Sequence, residues 1–246
     1  IIIYFFFILG RLIGLRLSRK LFSFLFLKLG PFFKSKKVIK NNFNFFSNDL
    51  TEEKQKSIIS GMWKNYGMTF IEYVFLDKFR ESNSHISLES EKKFDDIFKR
   101  NKQVVFVSGH FANFELMSME MTKRNVKLAT IYRPLNNYFL NPFMEFLRKK
   151  YICNHQIKKG INGVRDVISY INDEFSIALM IDQRVSEGER VNFFNKNALT
   201  TTLPAQLAIK FNMPVVPVYI ERNEQNNFQI KFLDEIRPSS YKNKLE

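Results

Sequence analysis

The chain has 246 residues, 45% of them hydrophobic and 25% charged, which excludes a disordered or fibrous polymer and allows one large α/β domain or two small ones. Its formal net charge of +14 points to an anionic partner, whether nucleic acid, an anionic membrane surface or an acidic protein. The single cysteine, Cys153, excludes an internal disulfide and suits a reducing compartment.

In chain order, Ile1 to Leu9 is wholly apolar but falls well short of the ~20 residues that a spanning helix needs. The apolar pattern continues from Arg11 to Phe33. No acidic residue precedes Asp49, whereas nine cations do: Arg11, Arg16, Arg19, Lys20, Lys28, Lys34, Lys36, Lys37 and Lys40. They are interleaved with Leu, Ile and Phe, a mixture that favours a membrane surface over a disordered nucleic-acid arm. Two arrangements fit: the tail of a spanning helix followed by an interfacial helix, or one long interfacial anchor. A signal peptide fits less well, because the basic residues follow the apolar run and no small-residue cleavage site is present. If the segment spans, the basic flank from Lys34 to Lys40 puts the rest of the chain in the cytoplasm. The chain begins without Met and ends in a polar stretch at Glu246, so both ends are read as open to extension.

Thr51, followed by Glu52 and Glu53, reads as a helix start. Ile58, Met62, Tyr66 and Phe70 then fall four apart, with Ile59 and Trp63 alongside, and predict a helical apolar face. A charged helix near Glu89 to Arg100 precedes a short buried strand at Val104 to Val107. Helices are expected at about Asn113–Lys123, Phe139–Lys150, Asn162–Asn172 and Leu203–Phe211. Strands are expected at Lys127–Tyr132, Ile177–Ile181, Val215–Ile220 and Phe228–Phe232. Such alternation predicts an α/β fold with a mostly parallel or mixed central sheet flanked by helices, preceded by a hydrophobic, amphipathic membrane-anchoring helical segment. The expected division is residues 1–46 as anchor and 47–246 as catalytic domain.

Of the three histidines, His85, His110 and His155, only His110 closes a strand and opens a helix, where ligands collect in α/β sheets. Glu115 follows in Ser108-Gly109-His110-Phe111-Ala112-Asn113-Phe114-Glu115 and can fold back toward the ring. A carboxylate on one ring nitrogen fixes the tautomer and leaves the other nitrogen to take a proton from a hydroxyl. On spacing alone, a hydrogen-bonded structural histidine is the better reading. There is no His-Glu-x-x-His, one cysteine cannot build a zinc site, and no Gly-x-Ser-x-Gly, phosphate-binding loop or Gly-x-Gly-x-x-Gly occurs.

The segment Gly109-His110-Phe111-Ala112-Asn113-Phe114-Glu115 resembles the Gly-His-Phe-Gly-Asn-Trp-Glu block of the lipid A biosynthesis (lauroyl/myristoyl) acyltransferases, within the wider glycerolipid acyltransferase superfamily. Ala112 replaces Gly and Phe114 replaces Trp. Tyr132-Arg133-Pro134-Leu135-Asn136-Asn137 resembles the family's second block, and Lys158-Lys159-Gly160 with Arg165 its basic segment. Asp182-Gln183-Arg184, followed by Gly188, Val191, Phe193-Phe194, Ala198 and Thr200-Thr201, resembles its third block, and Val215-Val216-Pro217 the strand after it.

The resemblance implies an enzyme that moves a fatty acyl chain from acyl carrier protein onto a hydroxyl of a lipid A precursor. His110 would be the general base and Glu115 its orienting partner. Arg133 would bind an acceptor phosphate or stabilise the oxyanion. Asn113, Asn137, Asp182, Gln183, Phe194, Thr200 and Thr201 would bind substrate or shape the site, roles for which capping and packing are the plain alternatives. Metal and cofactor are not expected, since the donor is itself an activated thioester. The implied partners are acyl carrier protein, an anionic lipid acceptor and a membrane, not nucleic acid. The implied place is the cytoplasmic face of the bacterial inner membrane. A lysophospholipid, an ornithine lipid or a glycosylated phosphoinositide is the alternative acceptor. A basic nucleic-acid-binding protein lacks any recognisable motif here, and a non-catalytic membrane scaffold would not need His110 and Glu115.

Overall fold

The computed structural model describes residues 2–33, 35–46, 50–186 and 188–238. Lys34 of the basic flank, Ser47 at the expected domain border and the polar stretch from Ser239 to Glu246 lie outside the described residues. The chain forms two compact units: residues 1–77 with 192–197, and residues 78–191 with 198 onward.

The first unit holds α1 (Ile2–Ile13), α2 (Leu15–Leu29), α3 (Lys36–Phe46) and α4 (Glu52–Glu72). Gly14, at φ 81°, breaks α1 from α2 in a conformation that a Cβ disfavours. Thr51 starts α4, its hydroxyl accepting the Lys54 amide, with Glu52 and Glu53 in the first turn. The buried stripe of α4 is Trp63, Gly67 and Ile71, while Ile58 and Tyr66 stay exposed. The expected face is thus rotated by about one residue, and Gly67 explains it. A Cβ there would come within 2.2 Å of the Phe22 carbonyl, so the glycine lets α4 close on α2. Phe70 packs its ring against those of Phe7, Phe22 and Phe26.

Two of the early cations are used inside this unit. Arg19 is buried and its Nε donates to Glu72 at 2.6 Å; Arg11 donates to the Val74 carbonyl and pairs with Asp77. Among the described residues no helix is long and apolar enough to cross a membrane. One face of α1 nevertheless presents Ile2, Phe5, Ile8 and Leu12, from 60% to 79% exposed.

The second unit continues from α5 (Leu76–Glu81) through β1 (Ile86–Leu88), α6 (Glu91–Arg100), β2 (Val105–Ser108), α7 (Glu115–Lys123) and β3 (Leu128–Tyr132). Then come α8 (Asn141–Leu147), a π-turn at Arg148–Ile152, β4 (His155–Lys158), α9 (Ile161–Asn172) and β5 (Ser176–Met180). A hairpin of β6 (Glu189–Phe193) and β7 (Lys196–Thr200), whose residues 192–197 belong to the first unit, leads to α10 (Leu203–Phe211), β8 (Val215–Arg222) and β9 (Phe228–Phe232).

Seven strands pair in the order β1-β9-β8-β2-β5-β3-β4. Every pairing is parallel except β8 with β9. Short β-branched runs such as Val104 to Val107 suit this interior, where both faces of the strand are covered. On one face Val105, Val107, Ile177 and Leu179 pack with Val167 and Ile171 of α9 and Leu207 of α10. On the other, Phe106 meets Phe98 of α6 and Phe232. The edge strands β1 and β4 and the β6–β7 hairpin were not expected from sequence. β1 alternates but spans only three residues, and β4 and the hairpin carry mixed side chains, so none gives a strand signal of usable length.

Candidate active site

Parallel pairing of β2 with β5 aligns Ser108 with Met180. Two residues beyond each strand, His110 and Asp182 therefore stand side by side at the carboxyl edge of the sheet. The Asp182 carboxylate accepts twice, from the His110 backbone amide at 2.9 Å and from ring Nδ1 at 2.7 Å. An ionised carboxylate can only accept, so this contact selects the neutral tautomer with its proton on Nδ1, in which Nε2 keeps its lone pair. Gln183 Nε2 sits 3.4 Å from that Nε2, a loose contact that a substrate hydroxyl can displace. The His110 side chain is one-third exposed, within reach of a reactant.

Neighbouring residues hold this geometry. Phe114 lays its ring edge-on against the imidazole, with centroids 4.5 Å apart, and Phe111 packs in the same manner on Tyr219. Gly109 gives the Phe111 ring its place, because a Cβ would meet that ring at 2.9 Å and displace it. Ser108 donates to the Val218 carbonyl at 2.6 Å and ties the end of β2 to β8.

Glu115 is placed differently from the expectation. It opens α7, is 8% exposed, and its carboxylate accepts from Arg148 Nε at 2.7 Å and Nη2 at 2.6 Å. The carboxylate that bonds the His110 ring is that of Asp182, not that of Glu115. The reason is direction: as the first residue of α7, Glu115 turns into the protein interior, where its charge requires a buried cation. Arg148 supplies it from the start of the π-turn, a backbone irregularity frequent at functional sites. Arg148 went unnoticed in the sequence, although it lies four residues after Met144 and beside Leu147, both buried. A cation on an apolar helical face signals a hidden acid.

Close by, the Arg148 guanidinium lies over the Tyr132 ring at 5.6 Å. The Tyr132 hydroxyl donates to Glu145 at 2.7 Å. Burial, and then this bond to Glu145, push the Tyr132 phenol far above its ordinary range, so it acts as a donor and not as an acid.

The other expected residues separate into two groups. Arg133 follows β3 and is exposed, as are Lys159 after β4 and Arg184 after β5, giving three cations on the same sheet edge as His110. Asn137 Oδ1 accepts from the Phe139 and Leu140 amides and caps the turn before α8. Thr201 Oγ1 accepts from the Leu203 amide at the start of α10, and Thr200 Oγ1 donates to the Ala198 carbonyl. Asn113 is buried ahead of α7, its carbonyl accepting the Leu116 amide. Phe194 lies at the β6–β7 turn, in the first unit. The remaining histidines are packed on rings, His85 on Phe79 and His155 between Tyr170 and Phe175.

Ala112 has φ 43°, a left-handed conformation that costs a residue with a Cβ about 1–2 kcal/mol. Glycine, which the resembling family carries here, avoids that cost but loses about 0.5–1 kcal/mol through its freer unfolded chain. Ala112→Gly is therefore expected to stabilise the protein by about 0.5–1 kcal/mol, read as a rise of about 1–4 °C in Tm. A lower Tm would contradict it.

An imidazole with one nitrogen held by a carboxylate and the other in only a loose contact, at the carboxyl edge of a parallel sheet, is an arrangement capable of general acid–base chemistry in an α/β protein. A family model for bacterial lipid A biosynthesis acyltransferases matches residues 1–244, and the chain belongs to that family. It is thus an acyltransferase of lipid A biosynthesis. Among curated proteins no relative of the chain was found.

Proposed function

We propose that the chain transfers a fatty acyl group from an acyl carrier protein thioester to a hydroxyl of a lipid A precursor. His110 Nε2 removes the hydroxyl proton as the oxygen attacks the thioester carbonyl. Asp182, on Nδ1, stabilises the imidazolium that forms. The tetrahedral intermediate collapses with loss of the carrier thiolate, which takes the proton back from Nε2. Glu115 acts as a positioning residue, holding the first turn of α7 through Arg148. Arg133, Lys159 and Arg184 attract the anionic acceptor, and the basic surface suits the acidic carrier protein.

The exposed face of α1 lies in the membrane interface, at the cytoplasmic side of the inner membrane, bringing the enzyme to a lipid acceptor. What carries the reading is the open Nε2 of a histidine fixed by Asp182, in a chain of this family. The test is mass spectrometry of lipid A from a host lacking its own late acyltransferase, with and without this chain. One added fatty acyl group per molecule is expected. No added group, together with acylation of a lysophospholipid by the same membranes, would move the assignment to another acceptor.

A further inference from the structure

The connection between β5 and α10 builds the β6–β7 hairpin, which joins none of the strands of the seven-stranded sheet. Its turn residues are Phe194 and Asn195, at φ 48° and 58°. Two successive positive φ values suit Asn and Gly, whereas a bulky residue there is strained. Burial does not account for the strain, because Phe194 is 51% and Phe193 62% exposed, with ring centroids 4.6 Å apart. The backbone is held in an unfavourable conformation to present two aromatic rings outward.

The tip belongs to the first unit, where Lys196 Nζ lies 5.4 Å from the centroid of the Phe45 ring at the end of α3. Phe45 and Val38, seven residues apart and so on one face of α3, are themselves about half exposed, and Lys37, next to Val38 in the chain, is exposed. Neither residues 36–46 nor 192–197 include an acidic residue. Aromatic rings flanked by cations, without acids, complement the headgroup layer of an anionic bilayer.

We propose that the Phe193–Phe194 tip and the adjoining face of α3 form a second membrane contact, inserted at the surface of an anionic bilayer. It rests on the reading above that the acceptor is a bilayer lipid.

The test uses the full chain with Asn195→Cys, labelled with a polarity-sensitive dye. Cys153 is 2% exposed and burial pushes its thiol up, so the introduced thiol reacts first. On vesicles of phosphatidylglycerol and phosphatidylcholine, the emission should shift to the blue and be quenched by lipid-borne spin labels. On phosphatidylcholine alone, binding should be at least about tenfold weaker, because the exposed lysines lose their attraction to an anionic surface. Phe193→Ser with Phe194→Ser should lower vesicle partitioning on the order of tenfold, from half-burying two rings. A dye that stays in water on vesicles to which the chain has bound overturns the proposal. So does a dye that moves only when acidic carrier protein is added, or partitioning unchanged by the double substitution. Acyl transfer to a detergent-dispersed acceptor is measured on the unmodified chain. Transfer with an aqueous dye removes the hairpin contact alone; no transfer with a lipid-embedded dye supports the contact and removes only the acyl-transfer reading.

Discussion

Asp182→Asn is expected to lower acyl transfer by about a hundred- to ten-thousandfold, the range that a positioned base contributes. The carboxylate now accepts two bonds, from the His110 amide and from Nδ1–H. An amide has one accepting oxygen. If the backbone amide keeps it, the Asn NH2 faces Nδ1 and the ring must carry its proton on Nε2, the atom that has to accept one. The fold survives while the tautomer inverts, as happens when the triad Asp of a serine protease is replaced by Asn. His110→Ala sets the ceiling and should lose at least as much. The measurement is kcat/KM for transfer from acyl carrier protein, with Tm as the control for folding. A loss of less than about threefold in Asp182→Asn would leave Asp182 a loop anchor and return the question to Glu115.

Arg148→Met should be the most destabilising single change at the site. It strands the Glu115 carboxylate, 8% exposed, without its cation, a loss of about 3–5 kcal/mol for a broken buried pair. At about 2–4 °C per kcal/mol for a chain of this size, Tm should fall by roughly 6–20 °C. Replacing both partners, Glu115→Leu with Arg148→Met, removes the buried charge altogether and should restore most of that loss. A folded double variant with low turnover is the signature of positioning: the pair would be dispensable for stability and needed to aim the turn that carries His110. A Tm within about 2 °C of the parent in Arg148→Met would mean that water already reaches Glu115.

The elements most legible in the sequence are those whose signal is local. The short apolar runs that became β2, β5 and β8, the Thr51 start of α4 and the helices α6, α7, α9 and α10 all declare themselves within a few residues. The face of α4 was misjudged by one position, because Gly67 packs against a carbonyl that belongs to another helix. Edge strand β1 is too short to give a signal, at three residues, and β4 lacks a buried alternation. The block around His110 was recognisable at once, and so was the family it resembles.

Partner choice was a different matter. Glu115 was the natural candidate for the histidine because it lies five residues away, yet the bonding acid is Asp182, 72 residues away. Amino-acid sequence by itself determined where a strand ends in a histidine, which segments are buried, and that the chain is an acyltransferase of this family. Only the tertiary structure decided that β5 lies beside β2 in a register that levels Asp182 with His110, and that Arg148 claims Glu115. Periodicity and caps are written into neighbouring residues, whereas strand order is settled by the burial of whole faces against one another. That competition among distant segments leaves no local mark.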